Sequence, residues 1–201
     1  MNYKERKCGE YYKIYLAQKG ECPPSQKIIK ATTSLVNVDF RKIYINKIKN
    51  IQDPKISEFN YKVLHQILSC NYNLHRWGKH ESGLCDLCNQ TETITHLLFD
   101  CHHAQKYWHL VKRATNIAIS RISILIGTDC NIENPVISTI SYFIYKEWLV
   151  QKNENVRRCW ETSIYSLCNE LNYKIQIYNL TKNQKIKQIL HNIKSEIRGI
   201  P

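Results

Sequence analysis

Four potential metal ligands fall close together in this chain. Cys85-Asp-Leu-Cys88 is followed after seven residues by His96, and after four more by Cys101. Two cysteines separated by two residues grip one ion from a tight turn, because the backbone N–H groups of the turn fold towards the sulfurs. Three thiolates and one imidazole suit Zn²⁺, which is borderline soft and indifferent to geometry. No fifth group is set aside for water, so the pattern predicts one closed, structural zinc site rather than a catalytic one. The competing reading is that ordinary buried thiols have clustered by chance, and it leaves the paired spacing unexplained. His102 and His103 follow directly, and either would replace Cys101 if that thiol were not a ligand.

The remaining thiols (Cys8, Cys22, Cys70, Cys130, Cys159 and Cys168) are isolated in sequence and read as small buried hydrophobes. His65, His75, His80, His109 and His191 lie in no ligand pattern and read as surface or core-satisfied residues. Met1–Lys30 is dotted with charge and lacks the continuous apolar run of a secretory signal. Nine cysteines in such a chain point to reduced thiols or metal in an intracellular protein, with nucleus and cytoplasm left open. No membrane span is expected, since the longest uncharged stretch of the C-terminal half, Asn134–Tyr145, is too short and ends at Lys146-Glu147.

Charge narrows the partners. Lys and Arg outnumber Asp and Glu by 29 to 17, a net of +12 over 201 residues. The excess sits at the two ends: residues 1–50 hold 11 basic and 4 acidic side chains, whereas residues 51–100 hold 4 and 6. A basic balance of this size points first to nucleic acid and second to an acidic membrane surface. The plainer reading is that Lys solubilises a Tyr- and Ile-rich chain.

The rest of the sequence reads as helix. Tyr11, Tyr12, Tyr15 and Leu16 suit a short amphipathic helix among Lys4, Arg6, Lys7 and Lys13, and Cys22-Pro-Pro-Ser25 suits a loop. Asp39 caps a predicted helix over Phe40–Asn50 that aligns Phe40, Tyr44 and Ile48. Asp53-Pro54 starts another, burying Phe59, Val63, Leu64, Ile67 and Leu68 and ending near Cys70–Asn73, ahead of a turn at Leu74–Gly78. Ala104, Trp108 and Val111 mark a helical face after the cluster. Ile122–Ile126 alternates weakly, which leaves a short strand and a buried turn both open.

Asn134-Pro135 repeats the cap-then-Pro signal ahead of a stripe of Val136, Ile140, Phe143, Ile144 and Trp148. Cys159, Trp160, Ile164, Leu167 and Leu171 make a further stripe. Thr181-Lys-Asn-Gln184 has capping-box spacing before Ile186, Ile189, Leu190, Ile193 and Ile197. The fold class is mainly α, a helical domain with a small CCHC zinc-binding insert. The expected division is a basic helical segment over 1–50, the zinc-binding region over 51–115 and a helical region over 116–201.

The spacing excludes two familiar sources of function. A retroviral-type knuckle has four residues between its second Cys and its His, where this chain has seven, and a ββα finger closes with two histidines. A His-Asn-His nuclease is suggested by His102-His103 and Asn116, but the next histidine, His191, is too distant for a compact metal site.

The residues around the cluster resemble a known family. Phe59-Asn-Tyr-Lys62-Val-Leu64-His-Gln-Ile-Leu68, Leu74-His-Arg-Trp77-Gly, the Cys85/Cys88 pair, Glu92-Thr-Ile-Thr-His96-Leu-Leu-Phe99-Asp-Cys101 and Trp108 together look like the reverse-transcriptase zinc-binding domain. That domain lies near the C-terminus of polyproteins of LINE-type (non-LTR) retrotransposons. The close likeness covers about Asp53–Val111. A looser one runs through Ile124–Gly127 and Phe143–Trp148.

The resemblance implies a role in handling element RNA and target DNA during reverse transcription, alongside a polymerase domain encoded elsewhere. It implies no enzyme here. No Asp-Asp pair exists for a polymerase centre, no nuclease motif is evident, and no small-molecule substrate is expected. The expected function is a non-catalytic zinc-binding module that binds nucleic acid, RNA before DNA. Arg76, Lys79, Lys106, Lys112 and Arg113 are the candidate phosphate contacts, and Trp77 and Tyr107 the candidate base-stacking residues, with core packing favoured for Trp77. The alternatives are a zinc-stabilised protein-interaction module and a non-functional truncated element copy.

Overall fold

The computed structural model describes residues 39–154, 159–180 and 183–199. The expectations for Tyr11–Leu16, the Cys22–Ser25 loop and a Thr181 cap lie outside them. The described elements are α1 (Phe40–Tyr44) running into a π-helical turn (Ile45–Lys49), α2 (Pro54–Leu64), α3 (Asn71–Arg76) and a second π-helical turn (His96–Asp100). Then come α4 (His102–Ala114), α5 (Arg121–Ile126), α6 (Glu133–Glu154), α7 (Trp160–Leu180) and α8 (Gln184–Arg198). No strand occurs among the described residues, so the mainly helical class holds.

Helix α6 organises the rest, because its first half has no polar side to give to water. Asn134–Ser141 are all buried, and the stripe of Val136, Ile140, Phe143, Ile144 and Trp148 is buried as its spacing predicts. A helix that is apolar all round has to be surrounded. Accordingly α2, α4, α5, α7, α8 and both π turns pack against it. Two of its buried hydroxyls find partners: Thr139 donates to the Pro135 carbonyl at 2.7 Å, and Ser138 accepts from Asn60 of α2 at 3.0 Å. Helices α7 and α8 form an antiparallel pair, with α8 also lying on α4.

Helix α2 starts where Asp53-Pro54 predicts. The Asp53 carboxylate accepts from the backbone N–H groups of Lys55 (2.8 Å) and Ile56 (3.4 Å), and Pro54 lacks the N–H that would be orphaned there. The helix stops earlier than expected, at Leu64. Gln66 takes a left-handed φ of +57°, with Gln66 N–H donating to the Val63 carbonyl and Ile67 N–H to that of Lys62. This is a Schellman stop with Gln where Gly is usual, which hid it from sequence reading. Phe59, Val63, Leu64 and Leu68 are buried, but Ile67 is 45% exposed, since the stop swings it outward.

The π turn at Ile45–Lys49 overrides the expected Phe40–Asn50 face. An extra residue in the turn rotates the register, so Asn46, Lys47 and Ile48 go inward while Tyr44 is exposed. Lys47 is 1% exposed, and its ammonium donates to the Ile124 carbonyl at 2.6 Å, satisfying an orphan acceptor in the last turn of α5. Burial pushes the Lys47 pKa down to about 7. The unfolded chain, with an ordinary value of 10.5, then binds one more proton than the folded chain between those limits. Stability therefore rises with pH from about 7 towards 10, by up to ~1.4 kcal/mol per unit. Urea unfolding at several pH values should show this slope in the wild type and lose it in Lys47→Met.

Ile122–Ile126 is neither strand nor turn but lies within the short helix α5. A reciprocal cap starts it, Ser123 N–H to Ser120 Oγ at 3.1 Å and Ser120 N–H to Ser123 Oγ at 2.8 Å. Asn134 does not cap α6. Its amide clamps the preceding loop instead, accepting from Thr128 N–H at 2.7 Å and donating to the Thr128 carbonyl at 2.8 Å. That clamp explains Gly127, whose φ is +84°, and where an added Cβ would lie 2.7 Å from the Asn134 oxygen. Gly127→Ala is expected to destabilise by about 2–3 kcal/mol through strained backbone and collision together, read as a lower urea midpoint.

The α7 stripe begins later than its spacing suggested. Leu167 and Leu171 are buried, whereas Trp160 and Ile164 are half-buried and Cys159 is exposed. In α8, Ile186, Leu190, Ile193 and Ile197 are buried and Ile189 is half-buried. The cap at its described end is Asn183, which accepts from Ile186 N–H at 3.5 Å.

Candidate metal centre

The four predicted ligands meet. One ligand atom from each of Cys85, Cys88, His96 and Cys101 lies within 4.8 Å of every other. Cys85 Sγ and Cys101 Sγ are 3.9 Å apart, and Cys88 Sγ and His96 Nε2 are 3.2 Å apart. A tetrahedral Zn²⁺ with bonds of about 2.3 Å to sulfur and 2.0–2.1 Å to nitrogen has edges of about 3.8 Å (S···S) and 3.5 Å (S···N). These two edges lie within about 0.3 Å of that geometry, and the four ligand atoms together could hold one ion. Neither His102, which is exposed, nor His103 belongs to it.

Local folding explains how each ligand arrives. Around the first pair the chain doubles back. Leu84 and Thr91 bridge antiparallel, Cys85 N–H donates to the Gln90 carbonyl at 2.8 Å and Asn89 N–H to that of Cys85 at 2.9 Å. Asn89 supplies the left-handed residue of this turn, with φ +56°. The Leu87 and Cys88 N–H groups reach the Cys85 sulfur, as a rubredoxin-like turn requires.

The second pair is set by the π turn. Thr93 Oγ accepts from His96 N–H at 3.1 Å, and Cys101 N–H donates to the His96 carbonyl at 2.8 Å, five residues back. That wide turn brings His96 and Cys101 to one side. Cys101 also stands at the N-cap of α4, where the N–H groups of His103 and Ala104 point at its sulfur. A helix N-terminus favours a negative charge at that place, so it favours the thiolate a metal needs.

The electrostatics suit a cation. Hydrogen bonding to Cys101 and burial push the Cys85 thiol up, while the same bond holds Cys101 below the usual thiol range despite burial. Two sulfurs this close and this buried disfavour two negative charges side by side, a cost that a bound cation would relieve. Burial lowers the His96 pKa, which keeps the imidazole neutral and ready to bind.

Outside the ligands, Glu92 joins the centre to the core. It is buried, accepts from Asn71 N–H at 2.8 Å and from Trp148 Nε1–H at 3.2 Å, and burial raises its pKa. Lys152, one turn beyond Trp148, pairs with Asp86 at 2.7 Å inside the Cys-x-x-Cys turn. Trp108 of α4 donates to the Leu98 carbonyl at 2.8 Å and holds the π turn from the other side. Only the Glu92-x-x-x-His96 step hinted at this from the sequence; nothing there marked Trp148 or Lys152 as its partners.

The candidate nucleic-acid contacts are all exposed: Arg76 and Lys79 beside the α3 corner, and Lys106, Lys112 and Arg113 on α4. The two aromatic expectations reverse. Tyr107 is fully buried against Phe143 and Trp160, so it cannot stack on a base, whereas Trp77 is 41% exposed rather than packed in the core. Gly78, at φ +68°, ends α3 and turns Trp77 out.

Comparison with known proteins agrees with the site. Residues 25–108 match the family described as zinc-binding in reverse transcriptase, a stretch that holds all four ligands and ends at Trp108. The resemblance seen between Phe59 and Trp108 is thus borne out for that domain. No curated protein and no solved structure matches the chain. Among the described residues no helix is long and apolar enough to cross a membrane.

Proposed function

We propose that this chain is a non-catalytic, zinc-dependent nucleic-acid-binding module of retrotransposon origin, of the LINE (non-LTR) type, that engages RNA in preference to DNA. The observation that carries this reading is the union of the Cys85/Cys88/His96/Cys101 centre with the match of residues 25–108 to the reverse-transcriptase zinc-binding family. The bound zinc supplies a crosslink and no chemistry. It holds the α3 corner, with Arg76 and Lys79, in fixed relation to α4, with Lys106, Lys112 and Arg113. Their exposure and the net charge of +12 support contact with phosphates. No Asp-Asp pair is present in these 201 residues for polymerase chemistry, which favours a supporting role beside a polymerase domain encoded elsewhere.

The test is a salt titration of RNA binding by the zinc-loaded chain. Log affinity should fall linearly with log salt, with a slope of roughly −0.7 per phosphate engaged on a single strand. Zinc removal should abolish binding. A chain that holds zinc but shows no salt-dependent affinity for RNA or DNA at low salt would instead be a zinc-stabilised protein-interaction module.

A further inference from the structure

An open groove of about 1020 Å³ lies between α4, the start of α7 and α8. One wall is the outer face of α4, where Lys106, His109 and Arg113 recur at helical spacing. Trp160 stands at one end, and Asn192 and Ser195 of α8 form the far wall. A smaller hollow of about 400 Å³ shares Arg113 and Asn192 and continues the groove towards Asn116. We propose that this groove is the seat of an unpaired nucleic-acid strand, with a base stacked on Trp160 and the flanking phosphates held by Lys106 and Arg113. The proposal rests on the nucleic-acid reading above and names its binding surface.

Three observations favour this occupant. Trp160 is half-buried at the head of α7, its ring braced by Tyr107 at 5.1 Å between centroids, and the Lys106 ammonium lies over it at 5.5 Å. A braced, accessible indole beside a cation is the usual platform for a single-stranded base, since stacking needs a π face and no particular hydrogen-bond pattern. Lys106 and Arg113 are two turns apart on one helix face, about 10 Å along the axis, which places one cation on either side of a base. The groove's lining includes one carboxylate, Glu196, paired with Arg113 at 2.8 Å. Arg113 is exposed and Glu196 half-exposed, so the pair stays open to solvent, contributes little to stability and can exchange for a phosphate. A duplex cannot offer a base to Trp160, so the groove selects a single strand.

The experiment uses the full zinc-loaded chain with a fluorescein-labelled twelve-residue oligouridine and a duplex RNA of the same length, each titrated at several salt concentrations. The single strand should bind tighter than the duplex. Trp160→Leu should weaken it about tenfold or more, Trp160→Phe only a few-fold, and Lys106→Gln with Arg113→Gln should reduce the salt slope by about 1.4. Unlabelled oligouridine should quench tryptophan emission in the wild type and much less in Trp160→Phe, a readout that does not depend on Trp160→Leu folding.

If the strand binds the wild type, Trp160→Leu and the double charge variant equally, with quenching unchanged in Trp160→Phe, the groove is overturned while the nucleic-acid reading stands. If the wild type binds no RNA at low salt, both fail together.

Discussion

Cys101→Ser is expected to release the metal and collapse the corner built around it, a loss matched only by substitution of another of the four ligands. Cys101 is one of the four clustered ligands and stands at the N-cap position of α4. Ser is among the best N-cap residues, so the substitution suits the helix start and removes the thiolate alone. Structural zinc in finger peptides contributes roughly 10–16 kcal/mol at neutral pH, comparable with the whole stability of a small domain. Much of that is tied to packing here. Glu92, Trp148 and Lys152 join the Cys-x-x-Cys turn to α6, and Trp108 joins the π turn to α4. Circular dichroism should show lost helicity and a melting midpoint lowered by ten degrees or more. His102→Ala should leave both metal and melting unchanged.

Lys174→Met should destabilise the fold by about 3 kcal/mol, the second large effect. Lys174 on α7 is buried and pairs with Asp53, the cap of α2, and with Glu170 at 3.3 Å. Removing one member of a buried pair strands the other charge, which typically costs about 3–5 kcal/mol. Glu170 and Asp53 retain other partners, which puts the expectation at the lower end. Burial by itself would raise the Asp53 pKa. The Lys174 bond and charge, with the Lys55 and Ile56 N–H groups, outweigh that and hold it below its ordinary 3.8. Its contribution is therefore complete above pH 3.8 and is lost as pH falls through the lower folded value. Urea midpoints between pH 2 and 7 check both points. Asp53→Asn combined with Lys174→Met should recover much of the single-variant loss, because no unpaired charge then remains.

The metal centre was legible in the sequence because ligand chemistry is carried by residue type and spacing. Cys85, Cys88, His96 and Cys101 needed no tertiary knowledge to be singled out. The Asp53-Pro54 start and the Val136–Trp148 stripe were legible for a similar reason, since capping and helical burial are local. What escaped was the geometry that departs from the α-helical period. The π turn at Ile45–Lys49 turned a lysine into the core and Tyr44 out. Gln66 ended α2 in a conformation usually left to Gly. Asn134 looked like a cap, but its amide had a better use across the loop at Thr128. Trp77 and Tyr107 exchanged places for the same reason: a Gly78 turn and a crowded α4 face decide exposure, and neither is written in hydrophobicity. The half-exposure of Trp160 was also hidden, because it depends on how α4, α7 and α8 pack.

The most direct test of the central claim is metal content, measured by inductively coupled plasma mass spectrometry on the chain purified without added metal, alongside Cys88→Ser. The account predicts one zinc per wild-type chain, and almost none in the variant, together with a lower melting midpoint. A wild-type chain without zinc, melting at the same temperature as Cys88→Ser, would contradict it and leave only a basic helical protein with a chance cluster of thiols.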